Sequence, residues 1–358
     1  MQEKKSILKN LADILNPYSW ITSLRNIAFD KGCIESRSFD LPVICIGNIT
    51  VGGTGKTPHT EYLIRLLDSE GKVAVLSRGY GRKSRGYIKA DAHSTMELIG
   101  DEPFQIKSKF PHITVAVCEK RVTGVENLLK EEDRPSVILL DDAFQHRHIK
   151  AGLNILLIDS NRPIGDDCIL PFGRLRESSR GARRADVVIF TKCSKEIDKQ
   201  QMAQFKKRLQ TKEGTPVFFS TVEYGTPYPV FEEGGNAAPA IDNKCNILLL
   251  TGIAKPAPLK KELEARGAKV TLLQYADHHN FSDRDFADIA KSYAAIEGKK
   301  FILTTEKDAT RLRGASSLPQ SIKENIYALP IEIKILNDEE YMFNQIIKDY
   351  VEKNRRDR

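Results

Sequence analysis

VICIGNITVGGTGKTP, residues 43–58, decides the architecture. Its first half is a near-continuous apolar run. Such a run reads as a strand buried on both faces, the mark of a parallel sheet covered by helices. It passes into the glycine loop Gly52-Gly53-Thr54-Gly55-Lys56-Thr57, and the loop opens a helical pattern carried by Tyr62, Leu63, Leu66 and Leu67. Strand, glycine loop and helix in this order make a phosphate cradle, because glycines let backbone N–H groups curl around phosphates at a helix N-terminus. Lys56 is then expected to neutralise β- and γ-phosphate charge, and the Thr57 hydroxyl to ligate Mg²⁺. In the spacing G-x-x-x-x-G-K-[ST] the first glycine would fall on Thr50, and the Gly52-Gly53 doublet stands in for it. The strand–loop–helix context favours nucleotide binding over a structural turn.

A phosphate loop wants a metal-orienting acid at the end of a neighbouring strand, and SVILLDD (136–142) supplies two, Asp141 and Asp142. One carboxylate can hold Mg²⁺ through water while the other contacts metal or positions substrate. Further strand-like runs are 73–79, 113–119, 154–160 and 185–192. The last, ADVVIFTK, is similar to the strand that ends in N-K-x-D in guanine-specific GTPases. Thr191-Lys192-Cys193-Ser194 lacks the guanine-reading Asp, so ATP is the expected nucleotide.

Residues 223–244, rich in Gly and Pro, read as a linker with room for a short hairpin. A second alternating series follows, with strands at 246–252, 269–275, 300–306 and 326–335 and helices over 257–267 and 283–297. The expected fold is α/β: a P-loop NTPase-like parallel-sheet domain over 32–222, then a smaller α/β domain over 245–358. Residues 1–31 read as two short amphipathic helices broken at Pro17, with cationic edges and Trp20. They are either a packed hairpin or a membrane-surface foot.

The chain has 358 residues, with 55 Lys+Arg against 48 Asp+Glu, a formal net charge of +7. With a mean hydropathy of −0.37 this is the composition of an ordinary globular protein, not a collagenous or disordered one. No stretch approaches the ~20 apolar residues of a spanning helix, and the N-terminus lacks the form of a secretory signal. The six cysteines are scattered with no C-x-x-C pair, which argues against a disulfide framework or zinc site and for a reducing, cytoplasmic compartment. The basic cluster Lys353, Arg355, Arg356 and Arg358 reads as a frayed tail. No nucleic-acid motif accompanies the charge, so a nucleic-acid partner is not expected.

Several segments together resemble the lipid A 4′-kinase (tetraacyldisaccharide 4′-kinase) family: GNITVGGTGKTP (47–58), SRGYGR (77–82), GDEP (100–103), DDAFQH (141–146), PFGRLRE (171–177), DHH (277–279) and TEKDA (305–309). They run in order from the first helix to about residue 313. Ala143 stands where the family usually has Gly. The resemblance implies ATP- and Mg²⁺-dependent phosphorylation of the 4′-hydroxyl of an acylated glucosamine disaccharide 1-phosphate. It also implies a peripheral protein at the cytoplasmic face of the inner membrane, attached through its N-terminal helices, with no obligate protein partner. Asp101 is implied as the catalytic carboxylate near the acceptor hydroxyl, a role open to a carboxylate in a short loop, although Asp101-Glu102-Pro103 also suits a helix start. His278, favoured over His279, is implied as its orienting partner. Glu177 resembles a Mg²⁺-site acid. Arg174 and Arg176 are candidates for phosphate or substrate contacts, with a surface salt-bridge run as the alternative. Tyr80, beside Arg78, suits stacking on a ring, and Gln145 and His146 are expected in the same cleft. Lys307-Asp308 gains no firm role. The rival functions are a soluble small-molecule kinase and a partitioning or metallochaperone ATPase. The latter typically has Lys where Val51 stands.

Overall fold

The structure, a computed structural model, describes residues 16–231, 239–277, 279–314 and 317–356. Two compact units emerge: Met1–Val222 with Ile333–Arg358, and Glu223–Glu332.

The first unit is built on a nine-stranded sheet. Its strands are β1 (Val43–Gly47), β2 (Val73–Ser77), β3 (Ile88–Lys89), β4 (Thr114–Val117), β5 (Val137–Asp141), β6 (Leu153–Asp159), β7 (Val187–Thr191), β8 (Val217–Tyr224) and β14 (Ile331–Ile335), in the order β14-β8-β7-β6-β1-β5-β2-β4-β3. β1 lies between β5 and β6 and is parallel to both. Every residue of β1, β2, β5 and β7 is buried. Alternate side chains feed two apolar clusters: Val43, Cys45 and Leu76 belong to one, Ile44, Ile46 and Val75 to the other. A strand's side chains alternate between faces, so the sheet carries a core on each side. Truncating one of these buried residues, such as Leu140→Ala, costs about 2–5 kcal/mol.

The second unit has a five-stranded sheet, β11-β10-β12-β13-β9, from β9 (Tyr228–Pro229), β10 (Asn246–Thr251), β11 (Lys269–Gln274), β12 (Lys300–Thr305) and β13 (Ile326–Leu329). β10 is flanked in parallel by β11 and β12, and β9 adds an antiparallel edge. The helix Asp283–Ala294 begins at a capping box between Ser282 and Asp285 and buries Phe286 and Ile289.

The domain expectations need three corrections. The run 326–335 is not one strand, because Pro330 has no N–H to continue a ladder; β13 joins the smaller sheet and β14 the larger. The segment 223–244 is not all linker, since Tyr224 ends β8 and Tyr228–Pro229 pairs with β13. Residues 333–358 belong to the first unit, not the smaller domain. There the presumed tail is the helix Glu340–Arg356, whose Phe343, Ile347 and Val351 recur every fourth position and are buried in the larger sheet's core.

At the N-terminal end, the helix Pro17–Asp30 starts at Asn16, whose side chain accepts from the Tyr18 N–H. The first of the two expected helices lies outside the described residues. No helix among the described residues is long and apolar enough to cross a membrane.

Candidate active site

In open parallel sheets, ligands bind outside the carboxyl ends of the strands. β1 and β5 deliver the glycine loop and the acid pair to that end, side by side in register, Ile46 opposite Asp141. Gly47 has to be glycine here: a Cβ would sit 2.7 Å from the Phe144 Cβ and 3.0 Å from its backbone N. Gly55, with φ of 85°, caps the helix Lys56–Leu67 in a left-handed conformation that an L side chain resists. The helix buries His59, Leu63, Ile64 and Leu67 on one stripe, which aims its positive N-terminal end at the loop.

Lys56 Nζ lies 3.7 Å from Asp142 Oδ2. Asp142 has φ of 47° and receives both carboxylate contacts of Arg176 Nη1, at 3.0 and 3.2 Å. Arg176 is brought there by the backbone. Its N–H donates to Ile49 O and the Val51 N–H to Arg174 O, each at 2.8 Å, so the segment 174–176 runs beside the entry to the loop.

Asp141 is fully buried, and among the described residues its carboxylate meets the hydroxyls of Thr60 and Ser77, both at 3.4 Å. Burial, then the Glu102 and Asp142 charges, push its carboxyl well above the usual range. Behind it the buried Arg121 donates to Cys118 O at 2.8 Å and Asp141 O at 3.2 Å, and burial lowers its guanidinium to about 10. Two adjacent carboxylates, with the Thr57 hydroxyl in the first turn of the facing helix, are hard oxygen donors that fit Mg²⁺. Among the described residues no three acids, His or Cys close a metal cage.

Glu177, expected as a Mg²⁺-site acid, is placed among side-chain donors. Its oxygens receive Arg184 Nη2 and Nη1 at 2.7 and 2.8 Å, Asn26 Nδ2 at 2.8 Å and Gln145 Nε2 at 3.0 Å, and the residue is buried. It is an organising anion. Gln145 passes the order on through a 2.6 Å bond to Asn48 O.

These groups line a cavity of about 310 Å³ within the first unit, whose walls include Arg78, Tyr80, Glu102, Asp142, His146 and Arg176. His146 is held to about 4 by burial and the nearby Arg121 and Arg78 charges, so it is neutral at pH 7. Asp101 is half-buried at the first position of the helix Asp101–Lys109. Its neighbour Glu102, not Asp101 itself, is among the cavity walls. Arg174 is exposed and takes no wall position. His278 lies outside the described residues. In the second unit, His279 Nε2 sits 3.0 Å from Asp285 Oδ2 and Lys307 pairs with Asp277 at 2.7 Å. Asp308 is buried and receives the Thr251 and Thr305 hydroxyls and the Gly252 N–H.

Sequence reasoning gave no site role to Glu102, Arg121, Arg184 or one face of the helix Pro17–Asp30; of these, Glu102 and the helix's Tyr18, Thr22, Arg25 and Asn26 reach the cavity wall. Their positions, 18, 22 and 25–26, follow helical spacing, a signal hidden because that helix draws attention for its apolar stripe.

A lysine-bearing glycine loop at a helix N-terminus, an acid pair on the adjacent parallel strand and an arginine-lined cavity beyond them define a P-loop nucleotide-dependent phosphotransferase. The comparisons take this further. The family model for tetraacyldisaccharide-1-P 4′-kinase (LpxK) matches residues 8–352, and the chain belongs to that family. Tetraacyldisaccharide 4′-kinase of Phocaeicola vulgatus is 47% identical over 350 residues, 96% of each chain. The Bacteroides fragilis protein of that name is 49% identical over 352 residues, 96% of this chain and 94% of its own. The solved structure of the "apo" form of LpxK from Aquifex aeolicus in complex with ATP is 28% identical. It superposes with a TM-score of 0.73 over 97% of this chain and 99% of that one.

Proposed function

We propose that this chain transfers the γ-phosphoryl group of ATP to the 4′-hydroxyl of a tetraacylated glucosamine disaccharide 1-phosphate, a step of lipid A assembly. The observation that carries the reading is that Asp142, 3.7 Å from Lys56 of the glycine loop, is itself a wall of the cavity lined by Arg78, Tyr80 and Arg176.

In this reading Lys56 and the loop amides bind the β- and γ-phosphates, where charge builds as the phosphoryl group leaves. Thr57 and the Asp141–Asp142 carboxylates would hold Mg²⁺, which would supply positive charge against the phosphates. Arg176, already spent on Asp142, keeps that carboxylate in place, and the exposed Arg78 and Arg174 remain for the substrate's own phosphate. Asp101 takes the acceptor proton as the new O–P bond forms. Tyr80 offers its open ring face to the sugar.

An acylated acceptor resides in a bilayer. The helix Pro17–Asp30 leaves Trp20, Ile21, Leu24 and Ile27 exposed, at 48–66%, and turns its other face to the cavity. That division suits peripheral attachment at the cytoplasmic face of the inner membrane, with the cavity mouth at headgroup level.

The test supplies γ-labelled ATP to the full chain with the disaccharide 1-phosphate precursor in phospholipid vesicles, while co-sedimentation is followed in the same samples. Labelled glycolipid with co-sedimenting protein is expected. Label released only as free phosphate would favour the ATPase class and sink the kinase reading, and turnover without sedimentation would remove the membrane part.

A further inference from the structure

The likeness of Thr191-Lys192 to a nucleotide-reading strand has a structural counterpart: both side chains turn onto the phosphate loop. Lys192 Nζ donates to Gly53 O and pairs with Asp159 Oδ2 at 2.9 Å. Thr191 Oγ1, almost fully buried, donates to Thr54 O at 2.9 Å. His59, one turn into the following helix, places Nδ1 2.7 Å from Gly55 O and Nε2 3.0 Å from Ser220 Oγ. A carbonyl only accepts, so Nδ1 carries the proton and Nε2 takes the serine hydroxyl. Three successive loop carbonyls, 53, 54 and 55, thus each meet a donor from outside the loop. Asn48 Nδ2 donates to the Thr54 hydroxyl at 2.7 Å.

The geometry of the peptide plane gives this arrangement its meaning. C=O of one residue and N–H of the next are locked in one plane and point opposite ways. Fixing the carbonyls of 53, 54 and 55 therefore fixes the N–H groups of Thr54, Gly55 and Lys56 on the other side. Among the described residues those three N–H groups donate to no backbone carbonyl. Lys192 itself has φ of 57°, a left-handed backbone costly for a side chain of its kind, and that conformation persists only where the surroundings over-determine it.

We propose that Lys192, Thr191 and His59 are positioning residues. They form a carbonyl clamp that presets the amides of residues 54–56 toward the nucleotide phosphates, so that binding need not order the loop. The proposal rests on the reading that this loop binds ATP. Preset donors lower the ordering cost of binding, so losing one clamp bond should weaken nucleotide affinity without touching the acceptor side.

The test measures Mg·ATP affinity of the full chain by titration calorimetry, and KM for ATP and glycolipid separately, in Thr191→Val, Thr191→Ser and Lys192→Met. Valine keeps the shape of threonine and loses the donor; serine keeps the donor and loses the methyl. The clamp predicts about tenfold weaker ATP binding for Thr191→Val and Lys192→Met, near wild-type binding for Thr191→Ser, and KM for glycolipid within about twofold throughout. A packing role at position 191 predicts the reverse order of valine and serine and would overturn the clamp. So would unchanged ATP affinity in both Thr191→Val and Lys192→Met. Absence of ATP binding by the wild-type chain would instead bring down the kinase reading and the clamp with it.

Discussion

β1 and β2 deliver loops to the same end of one sheet, and the two loops are built in opposite ways. The loop after β1 is tied down on every side: by Arg174 and Arg176 backbone at its entry, by Thr191, Lys192 and His59 at its carbonyls, and by Lys56 against Asp142 at its exit. The loop after β2 stands open, with Arg78 exposed and Tyr80 82% exposed. Electrostatic stabilisation of a transferring phosphoryl group works best from dipoles that do not reorganise during the reaction, whereas an acylated disaccharide has to enter from a surface. On the proposed reading, rigidity falls where charge moves and openness where the large substrate arrives.

This contrast can be broken from either side. The largest effect is expected at the tied end. Lys56→Met should lower kcat by about 10³, measured as labelled glycolipid formed per enzyme, with the fold retained in a thermal melt. A loss under about tenfold would remove Lys56 from the phosphate site. Next, Glu177→Ala strips Arg184, Asn26 and Gln145 of a shared acceptor. Breaking a buried pair costs about 3–5 kcal/mol. Arg184 is 22% exposed, so roughly 2–3 kcal/mol is the expected loss, read as a fall of several degrees in Tm. The Mg²⁺ requirement should stay put. An unchanged Tm with a raised Mg²⁺ requirement would instead make Glu177 a metal ligand. The smallest effect belongs to the open loop: Tyr80→Ala should raise KM for glycolipid about tenfold, a typical cost of losing a stacking partner. KM for ATP should not change, and stability should stay within about 0.5 kcal/mol. Equal changes in both KM values would show that the two loops are not separate in function.

The buried strands and the phosphate loop are legible from the chain alone, because a parallel strand covered on both faces is a continuous apolar run and β1, β2, β5 and β7 each have one. The acid pair is legible for the same reason, standing at the end of such a run. What escapes is set by partners distant in sequence. Nothing around Glu177 distinguishes a metal ligand from an anion held by Arg184 and Asn26, since the two choices differ only in what the fold brings to it. β14 and β13 read as one strand because Pro330 is a single letter, while the sheets they join are decided by pairing with β8 and β12. The helix Glu340–Arg356 is hidden by its own charge, since Phe343, Ile347 and Val351 are three apolar letters among mostly polar ones.

That helix has a consequence for the order of synthesis. The Tyr350 hydroxyl lies 3.0 Å from both Val43 N and Val43 O, at the first residue of β1. The strand that carries the phosphate loop emerges from the ribosome early, yet one of its fastenings is made some three hundred residues later, after the whole second unit has been produced. Contacts of such long sequence separation are slow to form. The nascent first unit must therefore wait with an uncovered apolar sheet face until the last helix arrives. Cutting the chain within the helix Glu340–Arg356 would loosen β1, far from the cut in sequence.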